Sequence, residues 1–98
     1  MYKTKDTLVK NTFSVEIVDE IHNEVTSISV FPPKIKSLKK LENAGTISEI
    51  SEALAAILSD NKENTRITTE FIDSALDISE LGKLIEDYFN WIAEIKKK

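Results

Sequence analysis

Apolar and polar positions alternate through Phe13, Val15 and Ile17, separated by Ser14 and Glu16, and again through Ile28 and Val30, separated by Ser27 and Ser29. A period of two puts one set of side chains on a single face, so the pattern predicts two half-buried strands over about residues 12–18 and 25–31. The polar stretch from Asp19 to Glu24, which includes Asn23, suits the connection of an antiparallel hairpin. The period changes at Pro32 and Pro33. Proline fixes φ, lacks an N–H and pushes the residue before it into extended backbone, so Phe31 ends the β part and Pro33 can open a helix.

Beyond the prolines the spacing is helical. Ile35, Leu38 and Leu41 lie three apart and form one stripe, while Lys34, Lys36, Lys39 and Lys40 occupy the other faces. Gly45 is expected to end this helix in a left-handed conformation. Thr46-Ile47-Ser48-Glu49 has the form of a capping box and starts a second helix, with Ile47, Ile50, Leu54, Ile57 and Leu58 on one face. Asp60 to Arg66 shows no periodicity and reads as a charged loop. Thr68 is placed to cap a short helix carrying Phe71, Ile72, Ala75 and Leu76. Asp77-Ile78-Ser79-Glu80 repeats the capping pattern and opens the longest helix, from about Ile78 to Lys96, whose stripe runs through Ile78, Leu81, Leu84, Ile85, Tyr88, Ile92 and Ile95. Phe89 and Trp91 fall on opposite margins of that stripe and widen its apolar arc. Lysines 96 to 98 complement the dipole at the helix end.

The expected fold is therefore α+β: a hairpin at 12–31, then a helical part at 33–97 with three to four helices, the last of them longest. Ninety-eight residues make one domain, with residues 1–11 expected to be flexible. A chain of this size buries only about 60 to 70% of its unfolded surface, so self-association is a physical expectation. Two strands alone are marginal in water and must lie on the helices or on a neighbouring subunit.

Composition narrows the functional classes. With no cysteine there are no disulfides and no thiolate chemistry, which fits a reducing compartment such as the cytoplasm. The longest apolar run, Ala53 to Leu58, is far below the ~20 residues that span a bilayer, and Met1 to Lys10 lacks the apolar core of a secretory signal. His22 is the only histidine and falls in the hairpin loop, where a solvated role is expected over metal binding or catalysis. The only glycines are Gly45 and Gly82, so there is no phosphate-cradling loop. The expectation is a chain without enzymatic activity, cofactor or metal. The lysines at 34, 36, 39 and 40 lack interleaved aromatics in a chain of net charge −4, so they read as the solvated back of a helix and not as a nucleic-acid site. A docking face for an acidic protein segment is the intermediate option. Apolar surface that a small core leaves over would form a protein-binding surface, with Phe71, Tyr88, Phe89 and Trp91 as its candidate residues; for Trp91 core packing is favoured over an exposed contact.

Two stretches, ISVFPPKIKSLKKLE (Ile28 to Glu42) and ITTEFIDSALDISELGKLIEDYFNWI (Ile67 to Ile92), resemble the tail assembly chaperones of long-tailed bacteriophages. The likeness lies in the order of elements and the apolar spacing: a hairpin, a Pro-Pro-Lys step into a short helix, and a Thr-capped segment before a long last helix. It implies a non-enzymatic protein that coats the aggregation-prone tape measure protein, assists assembly of the tail tube protein, and forms homo-oligomers in the host cytoplasm. Many proteins of that family also have a longer form made by programmed frameshifting. The competing class is a small regulatory or antitoxin-like module that binds one globular partner. Nucleic acid is expected to bind weakly at moderate salt, because the few phosphate contacts open to these lysines weaken steeply with ionic strength; a salt series of DNA-binding isotherms checks this, and tight sequence-selective binding would overturn it.

Overall fold

The computed structural model describes residues 2–3 and 12–96, which form β1 (Tyr2–Lys3), β2 (Phe13–Asp19), β3 (Glu24–Val30), α1 (Ile35–Glu42), α2 (Ile47–Leu58), α3 (Thr69–Ala75) and α4 (Ile78–Lys96). The predicted α+β architecture is present: an antiparallel hairpin followed by four helices, the last longest. The hairpin register runs from Phe13 opposite Val30 to Asp19 opposite Glu24. Four residues connect the strands. Asn23, the last of them, has φ 52°, a left-handed conformation that asparagine tolerates better than most residues.

The strands differ from expectation in one respect. Tyr2 and Lys3 pair antiparallel with Ile17 and Glu16, so the sheet has three strands in the order β1-β2-β3, and this part of the supposedly flexible terminus is structured. The Tyr2 hydroxyl donates to Asp87 Oδ2 at 2.7 Å and its backbone N–H donates to Glu80 Oε2 at 3.2 Å, which ties β1 to α4. No apolar periodicity announces so short a strand. The expected flexibility of residues 1 and 4–11 and the dipole-complementing role of the lysine side chains at 96–98 lie outside the described residues.

Helix boundaries follow the caps. Thr46 Oγ1 accepts from the Glu49 N–H at 3.1 Å, while Glu49 Oε1 reaches back to the Gly45 N–H. Asp77 and Glu80 form the reciprocal pair at the start of α4, and Thr68 accepts from the Phe71 N–H to start α3. Each such cap stabilises by about 1 kcal/mol. Helix α1 starts with Lys34 as an N-cap that supplies no side-chain bond, so Pro33 precedes the helix. Its other end corrects the sequence reading: Gly45 is not left-handed, and α1 closes at Asn43 and Ala44, whose N–H groups donate to Lys39 and Leu41.

One continuous core joins the two parts. Phe13, Val15, Ile17, Ile28 and Val30 present the inner sheet face to Leu54 and Leu58 of α2, Ile72 of α3, and Leu84, Tyr88 and Trp91 of α4. Three rings form its centre. Phe13 lies 5.6 Å from both Tyr88 and Trp91, centroid to centroid, edge-on to the first and tilted against the second.

The segment after α2 is ordered by side chains that its sequence does not advertise. Asn61 is buried, and its amide donates to the carbonyls of Leu58 and Thr65 while its oxygen accepts from the Thr65 N–H. Ser59 links the carbonyls of Ala55 and Ile67 and accepts from the Ile67 N–H. The loop then clips the outer edge of β3: Lys62 N–H donates to the Ser29 carbonyl, Phe31 N–H to the Asp60 carbonyl, and Ser29 N–H to Glu63. Asn61→Ala strands buried backbone groups and is expected to destabilise by about 2 kcal/mol. Trp91→Ala is expected to cost roughly 3 to 5 kcal/mol, a large part of the total stability of a domain this size. Chemical denaturation of both variants checks the order of the two effects.

Candidate protein-binding surface

The four aromatic candidates separate into two groups. Tyr88 and Trp91 are fully buried and belong to the core, which corrects their assignment to a contact surface. The reason is the sheet: the inner face of the hairpin brings Phe13 against the margin of α4 that the helical projection alone leaves open. Phe71 and Phe89 are half-buried and pack against the same core, Phe89 with its ring edge-on to Tyr88 at 5.9 Å. The Tyr88 hydroxyl is enclosed without a hydrogen-bond partner among the described residues. Loss of solvent, reinforced by the negative charge of Asp60, raises its pKa far above the ordinary phenol value and keeps it protonated.

The large apolar side chains left in solvent are different ones. Ile35 is 74% exposed, Ile47 60% and Ile78 66%, and at the hairpin tip Ile21 and Val25 are likewise more than half exposed. Periodicity places Ile35, Ile47 and Ile78 on buried stripes. Each occupies the first position of its helix, and none of the three joins the core cluster. A stripe marks a direction around a helix and does not show how far along it the neighbours reach.

Clefts adjoin some of these residues. One of about 560 Å³, whose lining includes none of them, lies between α1 and α2, with Lys36, Lys39 and Lys40 facing Glu49 and Glu52 over small alanines. Carboxylates thus interrupt the lysine cluster, and the cleft presents both signs of charge. A second cleft of about 340 Å³ lies between the start of α2 and the α3–α4 junction, and includes Ile47, Leu76 and Ile78. Ser51 lies in this cleft and donates to Asp73 at 2.9 Å. A third, of about 390 Å³, adjoins it and extends to Ile21 at the hairpin tip.

The tip is held by a local electrostatic arrangement. The buried Asp19 carboxylate accepts from the backbone N–H groups of Ile21 and His22, and its second oxygen lies 2.8 Å from His22 Nδ1. The carboxylate hydrogen bond and charge raise the pKa of His22, and His22 in turn lowers that of Asp19. His22 itself stands in solvent, as its place in the loop suggests. Among the described residues, no group of three or more His, Cys, Asp or Glu is placed to hold a metal ion, and no helix is long and apolar enough to cross a membrane.

Comparison with protein families, with curated proteins and with solved structures finds no match to this chain.

The His22–Asp19 pair gives a pH dependence of definite sign. A histidine whose folded pKa is raised contributes stability fully below its ordinary value of 6.5 and loses it as pH rises through the raised value. Asp19, with its pKa lowered, contributes fully above 3.8 and loses its contribution as pH falls through the lowered value. The tip is therefore best held between these limits. An NMR titration of His22 should give a midpoint above 6.5, and Asp19→Asn should move it down; an unchanged midpoint would refute the pairing.

Proposed function

We propose that this chain is a tail assembly chaperone of a long-tailed bacteriophage or prophage. In this reading it has no catalytic role, acts in the cytoplasm of the host, and binds the tape measure protein so that its long apolar helices stay in solution until the tail tube protein assembles around them. The reading is supported by the resemblance of Ile28 to Glu42 and Ile67 to Ile92 to that family, and by the match of its implied fold to the observed order of hairpin and helices. The observation that carries it is the set of aliphatic side chains kept in solvent on a small acidic domain, Ile21, Val25, Ile35, Ile47 and Ile78. Such side chains offer contact area to an apolar partner while the net negative charge limits indiscriminate association. A chaperone of this kind also forms homo-oligomers, for which the small core gives a motive.

Co-expression with the tape measure protein encoded near it supplies the test. The chain should shift that protein from the pellet to the soluble fraction in a ratio-dependent manner, and the two should co-purify. No effect on solubility at any ratio would overturn the proposal and favour a regulatory module with one globular partner.

A further inference from the structure

Two clefts meet where α3 passes into α4. In the first, Ile72 and Leu81 form a buried apolar floor, with Ile47 on the α2 side and Ile78 on the α4 side. The second continues from Leu76 and Asp77, which the two share, towards Ile21 at the hairpin tip. Every charged residue lining the pair is acidic: Asp73, Asp77, Glu20 and Glu80. Two helix N-termini, those of α2 and α4, also point here, but each carries only about half a positive unit, so the face stays strongly negative.

This combination restricts the occupant. Asp73, Asp77 and Glu80 already accept hydrogen bonds within the chain but keep their negative charge, so a purely apolar partner would desolvate them with no opposite charge in return, whereas a partner with lysines or arginines along its margins supplies it. The aliphatic positions Ile47, Ile78 and Ile21 line two adjoining clefts that share Leu76 and Asp77, and the apolar stripe of an amphipathic helix offers matching contacts. A second copy of this chain is a poorer fit: its basic helix α1 has lysines at 36, 39 and 40, but its solvent face offers Ile35 as a single aliphatic anchor.

We propose that this acid-bordered groove docks a cationic amphipathic helix of a partner protein, its aliphatic stripe seated between Ile47 and Ile78 and its basic residues set against Asp73, Asp77, Glu20 and Glu80. The groove shares Ile21, Ile47 and Ile78 with the surface on which the tail-assembly reading rests, but its test uses a synthetic peptide, so either can fail alone.

The probe is a labelled synthetic helix of leucine, alanine and lysine, with leucine at i, i+3, i+4 and i+7, followed by fluorescence anisotropy with the full chain. Binding should weaken as salt rises. The pair Ile47→Asp and Ile78→Asp, at exposed positions, should weaken it at least tenfold while the melting temperature stays close to that of the unaltered chain. Ile35→Asp, equally exposed outside the groove, should leave binding unchanged. Equal binding of a scrambled peptide of the same composition, or of a version with glutamate for lysine, would overturn the proposal. So would an equal effect of Ile35→Asp, or self-association of the chain that the groove variants abolish, since the occupant would then be a second copy. If the peptide binds as described but the tape measure protein is not solubilised, the tail-assembly reading falls and the groove stands. If the double variant solubilises the tape measure protein normally and also binds the peptide normally, the groove falls and that reading stands.

Discussion

The fold depends on one joint between its two halves, where the ring of Phe13 lies against Tyr88 and Trp91. A short, narrow sheet has little stability in water, because its apolar face must be covered before its hydrogen bonds contribute. A helix with an apolar arc as wide as that of α4 has the complementary difficulty. Ring pairs of this geometry add about 0.5 to 1.5 kcal/mol each beyond the area they bury. The sheet and the last helix are adjacent in space but distant in sequence, so this joint also carries a large loop-closure cost. Oxygen placement is the local compromise: among the described residues the Tyr88 hydroxyl is enclosed without a hydrogen-bond partner, while its ring packs against Phe13 and Trp91.

Polar clasps hold the edges of that joint. Asn61 and Ser59 turn the chain after α2 and fasten it along β3, so the outer edge of β3 is covered over Ser29 and Val30. On the opposite edge, Tyr2 extends the sheet by two residues and bonds to Asp87, which also receives Lys83 Nζ at 3.1 Å. Both arrangements address the same requirement, because an uncovered strand edge offers unpaired backbone groups to other chains. Val25 pairs with Val18 on the outer face of the sheet, opposite to the face that carries Ile28 and Val30, which is why it stands in solvent while they do not.

The fold was legible where the signal is local. Alternation marked β2 and β3, the double proline marked the change of period, and Thr46, Thr68 and Asp77 marked three helix starts through hydrogen bonds within a single turn. What stayed hidden depends on partners far along the chain. The pairing of Tyr2 with Ile17 involves two residues and has no periodicity of its own, and the burial of Asn61 is created by carbonyls it meets only after folding. The candidate surface was misread for the same reason. Tyr88 and Trp91 looked available from the width of one helix, but the sheet that covers them is specified elsewhere. Gly45 was misread more locally, since the Glu49 carboxylate takes its N–H and no left-handed residue is required.

The exposed isoleucines show where folding and binding make different demands. Ile35, Ile47 and Ile78 each stand first in a helix, a position at which a β-branched residue brings no gain in helix propensity and supplies no cap. None of the three enters the core cluster. Their side chains therefore contribute little to the isolated fold and place aliphatic surface in water. Ile47 and Ile78 come from different helices yet border the same cleft, with the floor between them already made by Ile72 and Leu81. A partner that covers them need supply only its own apolar stripe, because the chain's half of the contact is held in place by the core beneath. Ile35 lies outside that cleft and stands between Lys34 and Lys36 in the chain, so equal exposure at the two places does not amount to equal capacity for binding. The distinction is one of support: an exposed aliphatic side chain becomes a binding element when buried neighbours fix its surroundings and the charges around it are of one sign.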